Sequence, residues 1–308
     1  MSTALITHAD CLKHEMGPHH PECPERLAAV LMGFEQSGLL QKLAVIDAPL
    51  ATRAMLELAH DPDYVEQILS AAPQSGYAYL DPDTAMNPKS LDAARRAAGA
   101  VADAVDRVMA GEIDNAFCAV RPCGHHATYD RAMGFCIFNN VAIGAMYALE
   151  IHRLARVAIV DFDVHHGNGT ADIFHDDPRV MLCSSFQHPY YPGTGADSGN
   201  DHIIPVPLPA RTDSAHFRRA IEAAWVPALE RFRPEFIIVS AGFDAHAEDP
   251  LGQLNLLDED YTWVTELICD VADRHAQGRV VSALEGGYNL SALARSAVCH
   301  VEVLAGRG

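Results

Sequence analysis

The sequence predicts an α/β fold, a mainly parallel sheet flanked by helices on both faces. Three observations carry that expectation. Short runs rich in Val, Ile and Phe recur without strict alternation, the pattern of strands buried on both faces. Stretches of helical length separate most of them, as in βαβ units. Polar, chemically capable residues follow the apolar runs, and in a parallel sheet ligands bind beyond the carboxyl ends of the strands.

Taken in order, Ser90–Ala110 is an Ala-rich helix, with Ser90 expected as its N-cap and Gly111 as its stop. Ala116–Val120 reads as a strand and leads into Arg121-Pro-Cys-Gly-His-His126. Val157–Val160 leads into Asp161-Phe-Asp-Val-His-His166, and Val180–Cys183 is a further strand. Ala215–Phe232 has helical spacing, with a kink expected at Pro227. Phe236–Ser240 leads into Ala241-Gly-Phe-Asp244. Tyr261–Ala276 is a helix that stops near Gly278. Val280–Leu284 leads into Glu285-Gly-Gly-Tyr288, and Ser291–Leu304 is the last helix. Four strands thus deliver polar groups to one edge, within a single catalytic domain expected to span residues 1–308.

Composition narrows the functional classes. The 308 residues are about half apolar and carry 22 basic against 41 acidic side chains, a formal charge of −19. Such a surface repels phosphate backbones, which argues against general nucleic-acid binding. The charge serves plain solubility or attracts cationic substrates such as lysine-rich peptides or polyamines. Eight cysteines form no C-x-x-C pair and several lie in apolar runs, as buried thiols of a reducing compartment do. The first residues, MSTALITHAD, lack the pattern of a secretory leader. No apolar run reaches the ~18 residues of a membrane span. A soluble, cytoplasmic protein with no membrane partner is expected; whether it oligomerises is left open.

Asp161, Asp163 and His165 lie two apart and share a face in an extended segment, and Asp244 ends another strand. Two carboxylates and one imidazole make an open zinc site of roughly zero net charge. A D-x-D alone is usually a solvated turn or a helix cap. D-x-D-x-H-H directly after a buried strand is different, because four titratable groups are costly to desolvate without a metal or catalytic use. His125 and His126, after Gly124, read as an acid/base pair. Asp161 is a candidate partner for one imidazole and Asn168 for the other, which would give the two rings different proton affinities. Tyr288 follows Gly286-Gly287, a flexible turn from which a phenol can swing to polarise a carbonyl oxygen; standing alone it would be an ordinary loop residue.

These segments, with Gly134-Phe-Cys-Ile-Phe-Asn-Asn140 and His20-Pro-Glu-Cys-Pro-Glu-Arg-Leu27, resemble the histone deacetylase and acetylpolyamine amidohydrolase superfamily over nearly the whole chain. Asn168 and the Glu-Gly-Gly-Tyr-Asn segment resemble bacterial class II-like members. The resemblance implies a single arginase-like domain and one catalytic zinc on Asp163, His165 and Asp244. It implies His125 and His126 as acid/base pair, paired with Asp161 and Asn168, and Tyr288 as oxyanion donor. A structural potassium ion would be held by Asp161, Asp163, His165, Ser184 and Ser185. Phe135 and Tyr191 would flank an acyl-lysine tunnel, with Gly134, Gly286, the rim residue Asp83 and Leu251 also beside substrate. Arg26 resembles an arginine lining an inner cavity.

The implied reaction is hydrolysis of an N-acyl amine, with acylated lysine peptides or proteins, or small acylated amines, as substrates. Polyamine-selective relatives carry Glu seven residues after the third metal ligand, where this chain has Leu251, and this favours acyl-lysine. Against that, Pro21-Glu22-Cys23 resembles a segment that narrows the entrance of the polyamine enzymes. An acetylpolyamine amidohydrolase is therefore the first alternative. A binuclear ureohydrolase is more remote, because Gly167 and His246 stand where bridging carboxylates are needed. A non-catalytic acyl-lysine binding module is equally remote, because Tyr288 is present.

Overall fold

In the computed structural model, which describes residues 2–307, the chain alternates strands and helices from end to end. In order these are β1 (Thr3–Thr7), α1 (Pro24–Gln36), β2 (Ala44–Asp47), α2 (Arg53–Leu56), α3 (Pro62–Ala71), β3 (Ala78–Asp81), β4 (Thr84–Met86), α4 (Ser90–Ala110), β5 (Asn115–Cys118), α5 (Asn140–Glu150), β6 (Val157–Asp161), α6 (Asn168–Ile173), β7 (Val180–Gln187), β8 (Ile203–Leu208), α7 (Ser214–Phe232), β9 (Phe236–Ala241), α8 (Asp258–His275), β10 (Val280–Leu284) and α9 (Leu290–Ala305). Eight strands form one sheet in the order β2-β1-β5-β10-β9-β6-β7-β8. Every pairing within it is parallel. β3 and β4 make a separate antiparallel hairpin.

The helices pack on both faces. β5 is contacted by α4 and by α9, and β9 by α5 and by α8, while α4 packs on α5 and α8 on α9. Those strands are wholly buried, which is why their sequences run apolar without alternation. The four strands that deliver polar motifs, β5, β10, β9 and β6, are neighbours at the centre of the sheet. Their carboxyl ends therefore meet along one edge, and this adjacency assembles the site.

One local expectation is corrected. Ser90 is the first helical residue of α4 and not its cap. Its hydroxyl is engaged by Asn87 and by His14 Nδ1 at 2.6 Å, which takes it away from the free N–H groups of the first turn. At Pro227 the helix is not interrupted: α7 continues from Ser214 to Phe232. Three strands of the eight-stranded sheet, and both strands of the hairpin, give no sequence signal of the expected kind. β2 and β8 are the two sheet edges, β2 half exposed and β8 carrying Pro205 and Pro207, residues tolerated at an edge where no partner needs the missing N–H. β1 is buried but only five residues long at the start of the chain.

Candidate active site

The segment after β6 turns back on itself through short-range bonds. Asp163 N–H donates to Asp161 Oδ1 and His165 N–H to Asp163 Oδ1. This puts His165 Nδ1 3.1 Å from Asp163 Oδ1 and 3.2 Å from Asp244 Oδ2, at the end of β9. Ligand atoms of Asp163, His165 and Asp244 all lie within 4.8 Å of one another. Asp244 Oδ1 accepts from Val164 N–H, whereas its Oδ2 is buried without a hydrogen-bond partner. A buried carboxylate oxygen left unpaired is costly, and here it faces two further donor atoms.

Charge repeats the point. Burial and the negative charge of Asp163 raise the Asp244 carboxyl to about 7. Burial alone would depress His165, but the two carboxylates outweigh it and raise the imidazole to about 10. The cluster draws in protons where positive charge is wanted, and a divalent cation with two oxygen ligands and one nitrogen ligand fits that demand. The backbone leaves room for it. A Cβ on Gly286 would lie 2.0 Å from Asp244 Oδ2 and 2.5 Å from Asp163 Oδ2, so only glycine allows β10 to reach both carboxylates. A second cluster, Cys123, Cys136 and Glu285, is also compact. Its members are otherwise engaged: Glu285 accepts from Gly124 N–H, His125 N–H and Ser240 Oγ, and the two sulfurs contact each other at 3.4 Å. All eight cysteines are free.

The segment after β5 brings His125 and His126 against the cluster, their ring centroids 4.0 Å apart. His125 Nδ1 is 3.0 Å from Asp161 Oδ2, and His126 Nδ1 is 2.8 Å from Asn168 Oδ1. Burial lowers both, but Asp163, Asp161 and Glu285 reverse it at His125 and raise that imidazole well above its ordinary value. At His126 burial is reinforced by the charges of His125 and His165, and the ring is held well below. Behind Asp161, Ser184 pairs in register on β7, and its buried hydroxyl has no hydrogen-bond partner; Ser185, also buried, follows it.

Tyr288 completes the group, but its glycine turn is not free to swing. Arg26 Nε and Nη2 donate to the carbonyls of Gly287 and Glu285, Gly286 N–H donates to Asp163 Oδ2, and Tyr288 N–H donates to Asp249 Oδ2. The Arg26 guanidinium also lies 4.8 Å from the Tyr288 ring centroid. His126, His165 and Tyr288 line a pocket of about 220 Å³ together with Gly134, Phe135, Tyr190, Tyr191, Asp83 and Leu251. Phe135 meets Tyr288 edge-on, Tyr191 meets His126 edge-on, and Tyr190 stacks on His165. Asp83, at the β3–β4 turn, accepts from Gly134 N–H and Thr84 Oγ1.

The structure thus gathers the candidate zinc, potassium, acid/base and substrate residues of the deacylase reading around one pocket or directly behind it. Glu22 does not narrow the entrance: its side chain is buried between Arg26 and Arg121. His246 is buried with both ring nitrogens engaged, Nε2 3.2 Å from Asp258 Oδ1 and Nδ1 accepting from Glu248 N–H. Sequence reasoning missed Tyr190, Asp249, Glu285 and Arg121. The last two sit inside motifs already marked, at the ends of β10 and β5, and that position was the available signal.

A fully parallel sheet with such a pocket at the carboxyl ends of its strands places this chain among the α/β proteins that bind ligands at that edge, and comparison with known proteins narrows the class. Residues 20–304 match the histone deacetylase domain. A histone deacetylase-like amidohydrolase of Pseudomonas aeruginosa is 36% identical, over 99% of this chain and 86% of its own length. A polyamine deacetylase of Mus musculus is 36% identical over 99% of this chain, which spans only 48% of that longer protein. The crystal structure of the HDA15 HD domain has a TM-score of 0.93 at 34% identity, covering 99% of this chain and 90% of that one. The chain belongs to the histone deacetylase family, whose named members here are deacetylases and amidohydrolases of amide substrates.

Proposed function

We propose that this protein is a zinc-dependent amidohydrolase, a single catalytic domain over residues 1–308 that removes acyl groups from lysine side chains. The observation that carries this reading is the convergence of Asp163, His165 and Asp244 on the orphaned Asp244 Oδ2, beside two differently titrating histidines and a phenol in one pocket. Zinc held there would supply Lewis acidity to an amide carbonyl and lower the pKa of a water toward ~7. The remaining chemistry belongs to the chain.

His126 is the general base. Its Nδ1–H donates to Asn168 Oδ1, which leaves Nε2 as the acceptor, and its neighbours keep it neutral. It takes the proton of the attacking water and, once protonated, delivers it to the departing amine. His125, kept cationic by Asp161 and Asp163, favours negative charge developing beside it. Tyr288 donates a hydrogen bond to the tetrahedral oxyanion. Phe135 and Tyr191 would line the alkyl arm of the substrate and exclude water from it. The unpaired Ser184 hydroxyl beside Asp161 supports a structural potassium ion on Asp161, Asp163, His165, Ser184 and Ser185.

The narrow aromatic pocket and Leu251 favour acyl-lysine, or an apolar acyl arm, over a polyamine. The polyamine deacetylase among the relatives keeps acetylated polyamines as the second substrate class to test. The engagement of both His246 ring nitrogens by Asp258 and Glu248 N–H favours a single metal over a ureohydrolase pair. Two measurements test the proposal together. Elemental analysis should find one zinc per chain, and the loaded protein should hydrolyse acyl-lysine peptides faster than acetylated polyamines. Two stoichiometric metals in the site would return the ureohydrolase reading; zinc without amide hydrolysis would leave a binding module.

A further inference from the structure

Glu22 has no place in the proposed chemistry, yet it is among the most completely buried charged groups in the molecule, with no exposure at all. Its carboxylate joins two arginines. Oε1 accepts from Arg26 Nη1 at 3.0 Å and from Arg121 Nε at 2.5 Å, and Oε2 accepts from Arg121 Nη2. Each arginine then continues to a different part of the site. Arg26 spends its other donors on the carbonyls of Glu285 and Gly287, on either side of Gly286 and immediately before Tyr288. Arg121 opens the segment that carries His125 and His126, and it also donates to the carbonyls of Cys11 and His14.

A buried charge stripped of water is tolerated only when its bonds are well formed, and such groups serve specificity of arrangement more readily than net stability. Here one carboxylate sets the mutual position of two loops that the chain itself separates widely, since Glu22 lies 99 residues from Arg121 and Arg26 lies 261 residues from Gly287. On the carbonyl side of the turn Gly286 O accepts from Phe243 N–H, and Arg26 takes the flanking carbonyls of Glu285 and Gly287, while Asp249 holds the N–H groups of Tyr288 and Asn289. We propose that Glu22 is a positioning residue for Tyr288, fixing through Arg26 the turn that presents the phenol and tying that turn, through Arg121, to the histidine loop. This rests on the reading of Tyr288 as oxyanion donor.

A double-mutant cycle tests it. Glu22→Gln preserves shape and keeps Oε1 for both arginines, but it replaces the acceptor of Arg121 Nη2 by an amide that faces that donor and His14 Nε2, a buried atom without a partner 3.6 Å from the carboxylate, and so loosens the tie to Arg121. In the wild-type background it should lower kcat roughly ten- to a hundredfold with KM and zinc content unchanged, the cost of a donor misplaced by a fraction of an ångström to an ångström. In the Tyr288→Phe background the same substitution should change kcat by less than about twofold, because the hydroxyl it positions is gone. An equal loss in both backgrounds, or no loss in either, would overturn the proposal, since a residue serving only fold or metal site costs the same with or without the hydroxyl. Near-normal turnover of Tyr288→Phe alone would instead remove the oxyanion reading, and that edge of the cycle is read separately. If Glu22→Gln does not fold, Arg26→Lys enters the same cycle. A lysine ammonium is a point charge that cannot serve both carbonyls and the carboxylate at once, and the same Tyr288-dependent loss is expected. Failure of both variants to fold would make the network structural and end the proposal.

Discussion

At Tyr288 the proposed chemistry rests on one hydroxyl, and the ring packs against Phe135 and Arg26 whether or not the oxygen is present. Tyr288→Phe should therefore retain zinc and thermal stability while kcat falls ~10²–10³-fold, the usual loss for one oxyanion donor. Turnover within a few-fold of wild type in zinc-loaded, folded protein would contradict that role. Leu251 tests selectivity at the same scale. Its N–H donates to Asp249 Oδ1, and the other oxygen of Asp249 holds Tyr288 N–H, so the side chain at 251 has a fixed place on the pocket wall. A carboxylate there would pair with a substrate ammonium that Leu can only desolvate, an interaction of ~1–3 kcal/mol, or roughly tenfold or more. Leu251→Glu should shift the ratio of kcat/KM toward acetylated polyamines. If both substrates lose activity in proportion, Leu251 is a packing residue and the selectivity lies elsewhere.

Helix α4 shows how backbone proximity, invisible in composition, controls an element. A Cβ on Gly99 would lie 2.1 Å from Pro49 O and 2.8 Å from Ala51 N, both backbone atoms that cannot rotate aside. Alanine gains about 1 kcal/mol of helix propensity over glycine, but overpacking of this kind costs about 1–3 kcal/mol or more. With contacts this short the clash should win: Gly99→Ala should lower the urea-unfolding free energy by about 2 kcal/mol, and a stabilised variant would show that the 49–51 segment yields. The same distinction explains what the sequence revealed. The strands of the central sheet were legible because burial on both faces writes an unbroken apolar run, and the candidate metal set was legible because it lies in two short motifs at strand ends. β8 was not, since Pro205 and Pro207 read as breakers until its place at the sheet edge is known. Glu22, Asp249 and Tyr190 were not, because each acts through partners supplied by distant segments, and no local pattern records a pairing across the chain.

Over the whole molecule, three histidines remote from the pocket are folded in neutral form. His60 uses both ring nitrogens, facing Thr128 O through Nδ1 and accepting Asn139 N–H through Nε2. His300 lies between Thr265 Oγ1 and Ser282 Oγ, and His14 bonds Ser90 Oγ. Burial holds His14 and His60 down to about 4 and His300 to about 3. In the unfolded chain all three return to about 6.5. Below that value the unfolded state binds more protons than the native state, so the stability is present above about pH 6.5 and lost as pH falls toward 4. Glu285 works the other way. Burial raises it to about 7, so it carries a native-state proton over the same range and offsets one histidine. His165 and Asp244 are also raised, and bound zinc would hold both out of titration in the loaded protein. His166, held down to about 4 by burial, and His126, held well below its ordinary value, stand on the histidine side as well. Each net proton is worth about 1.4 kcal/mol per pH unit. Unfolding free energies of zinc-loaded protein should accordingly fall as pH drops from about 6 to about 5. His60→Gln, which removes one titrating group, should flatten that slope by about 1.4 kcal/mol per pH unit. A slope unaffected by the substitution would mean that carboxylates, and not buried imidazoles, govern the acid limit of this fold.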